Sequence, residues 1–171
     1  MHFEKVSLKQ FIKDYIKCKY DRDDVENIKD EEIEKITDIW NNIKLPKRST
    51  LFSAGYDFFI PYTQYFSSTG DTLIPTGIRF KCDDDKFLMC VPRSGLGFKY
   101  KFALSNTCGI IDKDYHDSSN EGHIMCKCYC EQHFTLEQGK ALMQGIILPY
   151  FKIDGDDSDG VRDGGFGSTG M

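Results

Sequence analysis

The pattern of apolar residues changes at Pro46, and this change limits the possible folds more than any other feature of the sequence. Before Pro46, apolar residues recur at helical spacing in two stretches. After it, they fall in short runs that are rich in aromatic and β-branched residues and are separated by Gly, Pro, Ser and Asp. Such runs are typical of short strands joined by turns. The sequence therefore predicts an all-β domain with an N-terminal helical insert at about residues 7–43.

Two amphipathic helices are predicted within this insert. The first should begin after Ser7, a good N-cap residue, and its apolar stripe consists of Leu8, Phe11, Ile12, Tyr15 and Ile16. The second should run from about Glu31 to Ile43, with acidic residues in its first turn, where the helix dipole favours them. Its inward positions are Ile33, Ile36, Trp40 and Ile43.

Length and charge exclude several classes of protein. A chain of 171 residues most simply forms one domain with a real core. The net charge of −5 argues against a broad basic face for duplex nucleic acid, although a local basic pocket can still hold a phosphate. No apolar run approaches the roughly 18 residues that span a bilayer, and MHFEKVSLKQ lacks a signal-peptide core. We expect a cytoplasmic protein that does not associate with membranes.

The cysteines and histidines are interpreted as structural or surface residues. Seven cysteines are an odd number, which favours reduced thiols. In HIMCKCYC, the cysteines alternate along a predicted strand, whereas zinc ligands usually follow C-x2-C on a turn, so small core residues are the better interpretation. The histidines at positions 116, 123 and 133 have no common spacing for a metal, and surface positions are predicted for them.

Two acidic runs are predicted to be solvated. DGDDSDG, residues 154–160, lacks the glycine and glutamate positions of a calcium loop and is interpreted as a hinge. CDDDK, residues 82–86, is typical of a charged hairpin turn.

The C-terminal stretch RDGGFGSTGM, residues 162–171, is suited to binding an anion. Four of its ten residues are glycine, which loses much backbone entropy on ordering, so an outside partner is needed to order it. The backbone N–H groups of the glycines are sterically open. Among them lie four side chains that can contact a ligand, those of Arg162, Phe166, Ser168 and Thr169. We expect one domain over residues 1–160 and a flexible arm at 161–171.

Two internal segments are also candidates for a site. In PRSGLGFK, residues 92–99, an arginine and a serine precede a glycine, which fits either a basic hairpin corner or an anion site. In SNTCGIIDKDY, residues 105–115, Asp112 follows an apolar pair. It is either a strand-end residue or the partly desolvated carboxylate that a general base requires.

Five segments together, in order, resemble the five motifs of the trimeric dUTP pyrophosphatases, or dUTPases. They are AGYDFF (54–59), PRSGLGFK (92–99), NTCGIIDKDY (106–115), QGIILPYF (144–151) and RDGGFGSTG (162–170). The resemblance covers residues 46–170. It implies a jelly-roll-like subunit of a homotrimer, with sites shared between subunits, acting as a dUTP diphosphatase. Such an enzyme cleaves dUTP to dUMP and pyrophosphate with Mg2+ on the triphosphate.

The resemblance also implies roles for individual residues. Asp112 matches the general base, and Tyr115 matches the ring that packs on the deoxyribose and leaves no space for a 2′-hydroxyl. Asn106 and the backbone from Gly109 to Ile111 match the hairpin that recognises uracil.

The resemblance assigns the phosphate and metal contacts to other motifs. Arg93, Ser94, Gly95 and Gln144 match residues that hold the phosphates. Asp57 matches a carboxylate that acts on the metal through water.

In the arm, Phe166 matches the ring that stacks over the uracil. Arg162, Gly167, Ser168 and Thr169 match residues that close on the phosphates.

The sequence departs from the family pattern in three places. A longer polar turn, HDSSNEGHI at residues 116–124, follows Tyr115. Ala141 occupies a position where members often carry an arginine, and Arg162 lies four residues before Phe166 rather than five.

Two other functions remain open at this stage. A dCTP deaminase shares the fold, but its motifs centre on a glutamate base, and NTCGIIDKDY contains none. A regulatory binding protein derived from a dUTPase is the second alternative, with the helical insert as its docking surface.

Overall fold

The computed structural model describes residues 1–22 and 28–160. Its helices are α1 (Leu8–Tyr20), α2 (Asp30–Asn41) and α3 (Ser94–Tyr100), with a 3-10 helix at Lys113–Asp117. The strands of its N-terminal half are β1 (His2–Lys5), β2 (Lys47–Arg48), β3 (Gly55–Phe59), β4 (Gln64–Phe66), β5 (Thr72–Pro75) and β6 (Ile78–Lys81). The later strands are β7 (Lys86–Pro92), β8 (Ala103–Leu104), β9 (Gly109–Ile111), β10 (Met125–Tyr129), β11 (Phe134–Leu136) and β12 (Ala141–Pro149).

The strands form small antiparallel sheets around one core. The largest sheet in the described part of the chain has the order β2-β3-β12-β7-β9. A three-stranded sheet has the order β5-β10-β8, and β1-β6 and β4-β11 form pairs. Neighbours in these sheets are mostly distant in sequence, as in Greek-key and jelly-roll folds. The all-β prediction is confirmed.

The predicted N-terminal helices are present and pack on the sheets. The Ser7 hydroxyl accepts a hydrogen bond from the Gln10 N–H at 3.1 Å, so the predicted N-cap of α1 is confirmed. Helix α2 occupies Asp30–Asn41 rather than the predicted 31–43. The Trp40 indole donates to the Val6 carbonyl at 2.9 Å and ties α2 to the segment before α1. In the part of the chain that is described, no helix is long and apolar enough to cross a bilayer.

The alternating cysteines lie in the core, as predicted. Cys126, Cys128 and Cys130 are buried, and all three are free thiols. Burial raises the pKa of the Cys130 thiol. The pKa of Cys126 is also raised, first by its hydrogen bond with Cys128 and then by burial. Small apolar side chains of this kind fill the space between packed sheets.

The surface positions predicted for two of the three histidines are wrong. His133 is exposed, but His116 and His123 are buried. Both buried rings have polar partners: His116 lies 2.8 Å from Glu4, and His123 lies 2.5 Å from Asp14. A buried imidazole is tolerated because hydrogen bonds replace its lost hydration. These partners are more than 100 residues distant in sequence, so no local pattern indicates them.

We predict that Gly145→Ala destabilises the fold because Gly145 lies where the core admits no side chain. A β-carbon there would lie 2.8 Å from Leu88 Cδ1 and 2.9 Å from Phe58 Cε2. Overpacking of this kind costs about 1–3 kcal/mol, which urea denaturation would measure. Gly95→Ala is the matched control, since a β-carbon at Gly95 meets nothing within 4 Å. Equal stability of the two variants would contradict the prediction.

Candidate active site

Three of the motif residues meet where β12 pairs with β3 and β7. The register places Gln144 of β12 opposite Asp57 of β3 on one side and opposite Val91 of β7 on the other. Arg93 follows β7 directly, and its Nε lies 3.0 Å from Asp57 Oδ1. The Gln144 amide donates to the Pro92 carbonyl at 3.3 Å. We call Asp57, Arg93, Ser94, Gly95 and Gln144 the phosphate-side cluster.

Gly55 leaves the space that the Gln144 side chain occupies, a role that the sequence analysis missed. The Gln144 side chain lies directly over Gly55, and an added β-carbon would overlap its amide oxygen. A glycine is therefore required for Gln144 to hold its position. The signal was present in AGYDFF, but the sequence alone does not reveal that β12 is the neighbouring strand.

The phosphate-side cluster is accessible and carries one guanidinium and one carboxylate. The Arg93 side chain is 41% exposed, whereas that of Asp57 is 13% exposed. Ion pairs at such a surface contribute about 0–1 kcal/mol, so Arg93 can exchange its partner for an incoming anion. Ser94 and Gly95 are exposed at the start of α3. An open cavity of about 480 Å3 is lined by Arg93, Ser94 and Lys101, together with Pro92, Gly97, Phe98 and Phe102.

The predicted uracil-binding residues lie together at the turn between β8 and β9. The Thr107 N–H donates to the Leu104 carbonyl at 2.9 Å and closes this tight turn, with Thr107 at a φ of 69°. The Asn106 amide nitrogen lies 4.0 Å from the position of a β-carbon at Gly109. The side chain of Asn106 and the backbone of Gly109 are therefore neighbours. Ile110, the next residue of β9, is 47% exposed.

Asp112 lies at the end of β9 and begins the 3-10 helix. Its carbonyl accepts a hydrogen bond from the Tyr115 N–H at 3.2 Å, and its side chain is partly buried. A cavity of about 770 Å3 opens beside it, and its lining residues are Phe87, Ile110, Asp112, Lys113, Asp114, Tyr150 and Ser158. The carboxylate is thus within reach of a ligand and partly shielded from bulk water, as general-base catalysis requires.

Tyr115 lies below the surface next to Asp112. The residue is 4% exposed. Its hydroxyl donates to the His123 carbonyl at 2.8 Å and accepts from the Asn120 amide at 2.8 Å. Only a small part of the ring is accessible to a sugar in the isolated chain.

The phosphate-side cluster and Asp112 lie at opposite ends of β7. Leu88 pairs with Ile111 and Cys90 pairs with Gly109, so Asp112 lies beside the start of β7, where Phe87 lines the same cavity. Arg93 follows the other end of the strand. Arg93 lies six positions after Phe87, a span of about 20 Å at roughly 3.3 Å per residue. One chain therefore does not bring the predicted base and the predicted phosphate ligands together.

The predicted arm residues lie outside the described part of the chain. They are Arg162, Phe166, Gly167, Ser168 and Thr169. The acidic stretch that precedes them, residues 154–160, is exposed throughout, as its interpretation as a solvated segment predicts.

Comparison with known proteins points to the same family. The dUTPase family model matches residues 41–170. The deoxyuridine 5′-triphosphate nucleotidohydrolase of Lactococcus lactis is 38% identical over 75% of this chain and 89% of its own length. The enzyme of the same name from Hahella chejuensis is 39% identical over 76% of this chain and 89% of its own length.

Solved structures agree in fold. A dUTPase from Streptococcus mutans has a TM-score of 0.62 and 29% identity, and the match covers 91% of this chain and 100% of that one. A dUTPase of the S. aureus phage phi11, whose structure describes a structural Mg(II) ion, has a TM-score of 0.58 at 18% identity over 70% of this chain and 92% of that one, which supports the fold alone. By its motifs, its jelly-roll-like fold and the match over residues 41–170, the chain belongs to the dUTPase family.

Proposed function

We propose that this protein hydrolyses dUTP to dUMP and pyrophosphate, and so limits uracil in DNA and supplies dUMP for thymidylate synthesis. The observation that carries the proposal is the position of Asp112, at the end of β9, partly buried and lining an open cavity beside the predicted uracil-binding turn. From there the carboxylate would orient a water, accept its proton and direct the oxygen to the α-phosphorus. The leaving group is pyrophosphate.

Base selection would come from the backbone of the turn and β9. Amides and carbonyls along a strand alternate as donors and acceptors, which suits the uracil edge and mismatches the 4-amino group of cytosine. The Asn106 side chain, next to Gly109, adds one further polar contact. An imperfectly paired buried polar group costs about 1–3 kcal/mol, so each wrong contact gives about one to two decades of discrimination.

The phosphate-side cluster would hold the triphosphate. Arg93 supplies a guanidinium that forms paired hydrogen bonds with phosphate oxygens, and the exposed Ser94 and Gly95 add hydroxyl and backbone donors. Gln144, fixed over Gly55, would contact a bridging oxygen. The pairing of β12 with β3 and β7 fixes the backbone of Gln144, which supports this role.

The residues of the cluster fit a Mg2+ ion carried mainly by the substrate. Within residues 1–22 and 28–160, no group of three or more His, Cys, Asp or Glu residues lies close enough to hold a metal. Asp57 offers a single carboxylate near the phosphate ligands, and Mg2+ usually keeps several waters with one or two carboxylates and substrate phosphates. Asp57 would therefore act through water. When bound, the ion would neutralise charge on the triphosphate.

The separation along β7 supports sites that are shared between subunits, and the family resemblance implies that the assembly is a homotrimer. Asp112 and Arg93 lie at opposite ends of the strand, so a complete site needs the phosphate-side cluster of a neighbouring subunit. We propose that the nucleoside turn comes from one chain, the phosphate-side cluster from a second and the C-terminal arm from a third. A closed ring of three identical contacts satisfies this requirement.

The first prediction is that Asp112→Asn lowers kcat by about two to four decades, because an amide cannot accept the proton from water. Pyrophosphate release from dUTP, UTP, dCTP and dTTP measures both the rate and the specificity. Asp84→Asn is the control, since Asp84 is an exposed carboxylate that pairs with Lys113.

Near wild-type turnover by Asp112→Asn would remove Asp112 from the role of base. Release of ammonia from dCTP, with no pyrophosphate from dUTP, would replace the proposal with a dCTP deaminase. A chain that binds a partner protein but turns over neither nucleotide would be a regulatory protein.

The second prediction tests site sharing by mixing two inactive variants. Asp112→Asn and Arg93→Gln should each be inactive alone. After unfolding and refolding of an equal mixture, about a quarter of the sites in a cyclic trimer draw an intact Asp112 and an intact Arg93 from different chains. Pyrophosphate release should then recover to about that fraction. If both residues of a site came from one chain, mixing would restore nothing.

The third prediction concerns the arm. We propose that Phe166 stacks over the base while Arg162, Gly167, Ser168 and Thr169 close on the phosphates. Deletion of residues 161–171 should slow turnover by orders of magnitude, because water exclusion and the grip on the leaving group are lost. The melting temperature should hardly change. Full turnover by the truncated protein would exclude a role for the arm.

A further inference from the structure

The turn at residues 116–124 is unexplained by the proposed function, and it connects Tyr115 to the N-terminal elements. It follows Tyr115 directly and is the segment in which the sequence is longer than the family pattern. The backbone of the turn packs closely against Tyr115 and His116. Gly122 has a φ of 67°, and a β-carbon there would lie 2.7 Å from the Tyr115 carbonyl oxygen and 2.6 Å from His116 Cα.

Two residues of this turn fix the Tyr115 hydroxyl. It donates to the His123 carbonyl and accepts from the Asn120 amide nitrogen, both at 2.8 Å. The orientation of the Asn120 amide is set by its other end, where the oxygen accepts from the Ser118 hydroxyl at 2.8 Å and from the Gly122 N–H at 3.2 Å. The amide nitrogen is therefore the end that faces Tyr115. Both hydrogen-bonding roles of the phenol are satisfied within the turn.

His123 is in turn held by helix α1. Its Nε2 accepts from the Gly77 N–H at 2.7 Å, so the proton lies on Nδ1, which donates to Asp14 Oδ2 at 2.5 Å. Asp14 also accepts from the Gln10 amide at 2.8 Å. His123 is fully buried, and its ring cannot rotate without losing both partners.

A second contact fastens the turn to the start of α1. Glu121 accepts hydrogen bonds from the Ser7 N–H and the Ser7 hydroxyl, both at 2.7 Å. Burial alone would raise the pKa of Glu121, but these two hydrogen bonds lower it below its ordinary value. The turn is thus attached to α1 at two points, through Glu121 at the start of the helix and through His123 at Asp14.

We propose that Asn120 and His123 are positioning residues that hold the Tyr115 ring, and that α1 acts on the same ring through Asp14. Resting on the proposed function, this inference makes the helical insert part of the discrimination between deoxyribose and ribose. A ring held at its hydroxyl cannot tilt away from the sugar, so a 2′-hydroxyl meets a fixed surface. A ring that has lost its hydrogen bond to Asn120 or to the His123 carbonyl can move and make room for the 2′-hydroxyl.

Two pairs of variants test the proposal. Asn120→Ala removes the donor to the phenol, while Asn120→Asp keeps the shape and the acceptor for Ser118 and Gly122 but replaces the donor with a carboxylate oxygen. Asp14→Ala releases His123, while Asp14→Asn keeps an acceptor for its Nδ1–H. For each variant, kcat/KM is measured with dUTP and UTP, and Kd is measured with their α,β-imido analogues.

Loss of one hydrogen bond should lower the dUTP-to-UTP ratio about two- to tenfold. We expect this decrease in Asn120→Ala, Asn120→Asp and Asp14→Ala, and recovery of the wild-type ratio in Asp14→Asn. Ile36→Val is the control, because it trims a buried side chain of α2 and so costs stability without touching the turn. It should leave the ratio unchanged.

The proposal is overturned if Asn120→Ala keeps the wild-type ratio, or if Ile36→Val changes the ratio as much as Asp14→Ala does. Should Asp14→Ala fail to fold, the Asn120 pair decides, since Asn120 is partly exposed. The analogue affinities separate the two proposals. If the wild type prefers the dUTP analogue but releases no pyrophosphate, the proposed function fails while the Kd ratios still test positioning. No preference in the wild type overturns the positioning role.

Discussion

The pairing of β12 with strands on both of its sides is the constraint on which the rest of the candidate site depends. β12 pairs with β3 along one edge and with β7 along the other, so a single register fixes Asp57, Gln144 and the end of β7 relative to one another. A slip of one residue would turn Gln144 toward the core and bring Met143, now fully buried, to the surface. Gly145 reinforces the register, because only a residue without a side chain fits between Leu88 and Phe58.

The same sheet keeps Asp112, the proposed base, away from the proposed phosphate ligands. β7 is shared by both halves of the site, yet it is extended, and an extended strand separates groups at its two ends by a fixed distance. No side-chain movement closes a gap of about 20 Å. Under the proposed function, assembly of several chains would be part of the chemistry, because a complete set of catalytic and binding groups would form only between subunits. The exposed Phe98, in the cavity beside Arg93, lies where such a neighbour would be expected.

Local patterns predicted the elements well and the contacts between them poorly. Ser7 and the apolar stripe that follows it predicted the start of α1, and the short aromatic runs predicted strands, because both signals depend on neighbours within a few residues. The roles of Asp112 and Arg93 came from the resemblance to dUTPases, and composition alone would have left each of them with two interpretations. The meeting of Arg93 with Asp57 depends on a register between distant strands, which no local pattern encodes.

The burial of His123 was missed for the same reason, and it explains how the long turn and the helical insert depend on each other. The polar 116–124 turn places the His123 imidazole beneath α1, and Asp14 of α1 accepts a hydrogen bond from its Nδ1–H. Without the Asp14 carboxylate of α1, the Nδ1–H of His123 would be left unpaired beneath the helix, at a cost of about 1–3 kcal/mol. Without the turn, Asp14 and Ser7 would lose hydrogen bonds that anchor the helix. Each segment satisfies polar groups that the other buries, so the helical insert and the long turn form one structural unit around Tyr115.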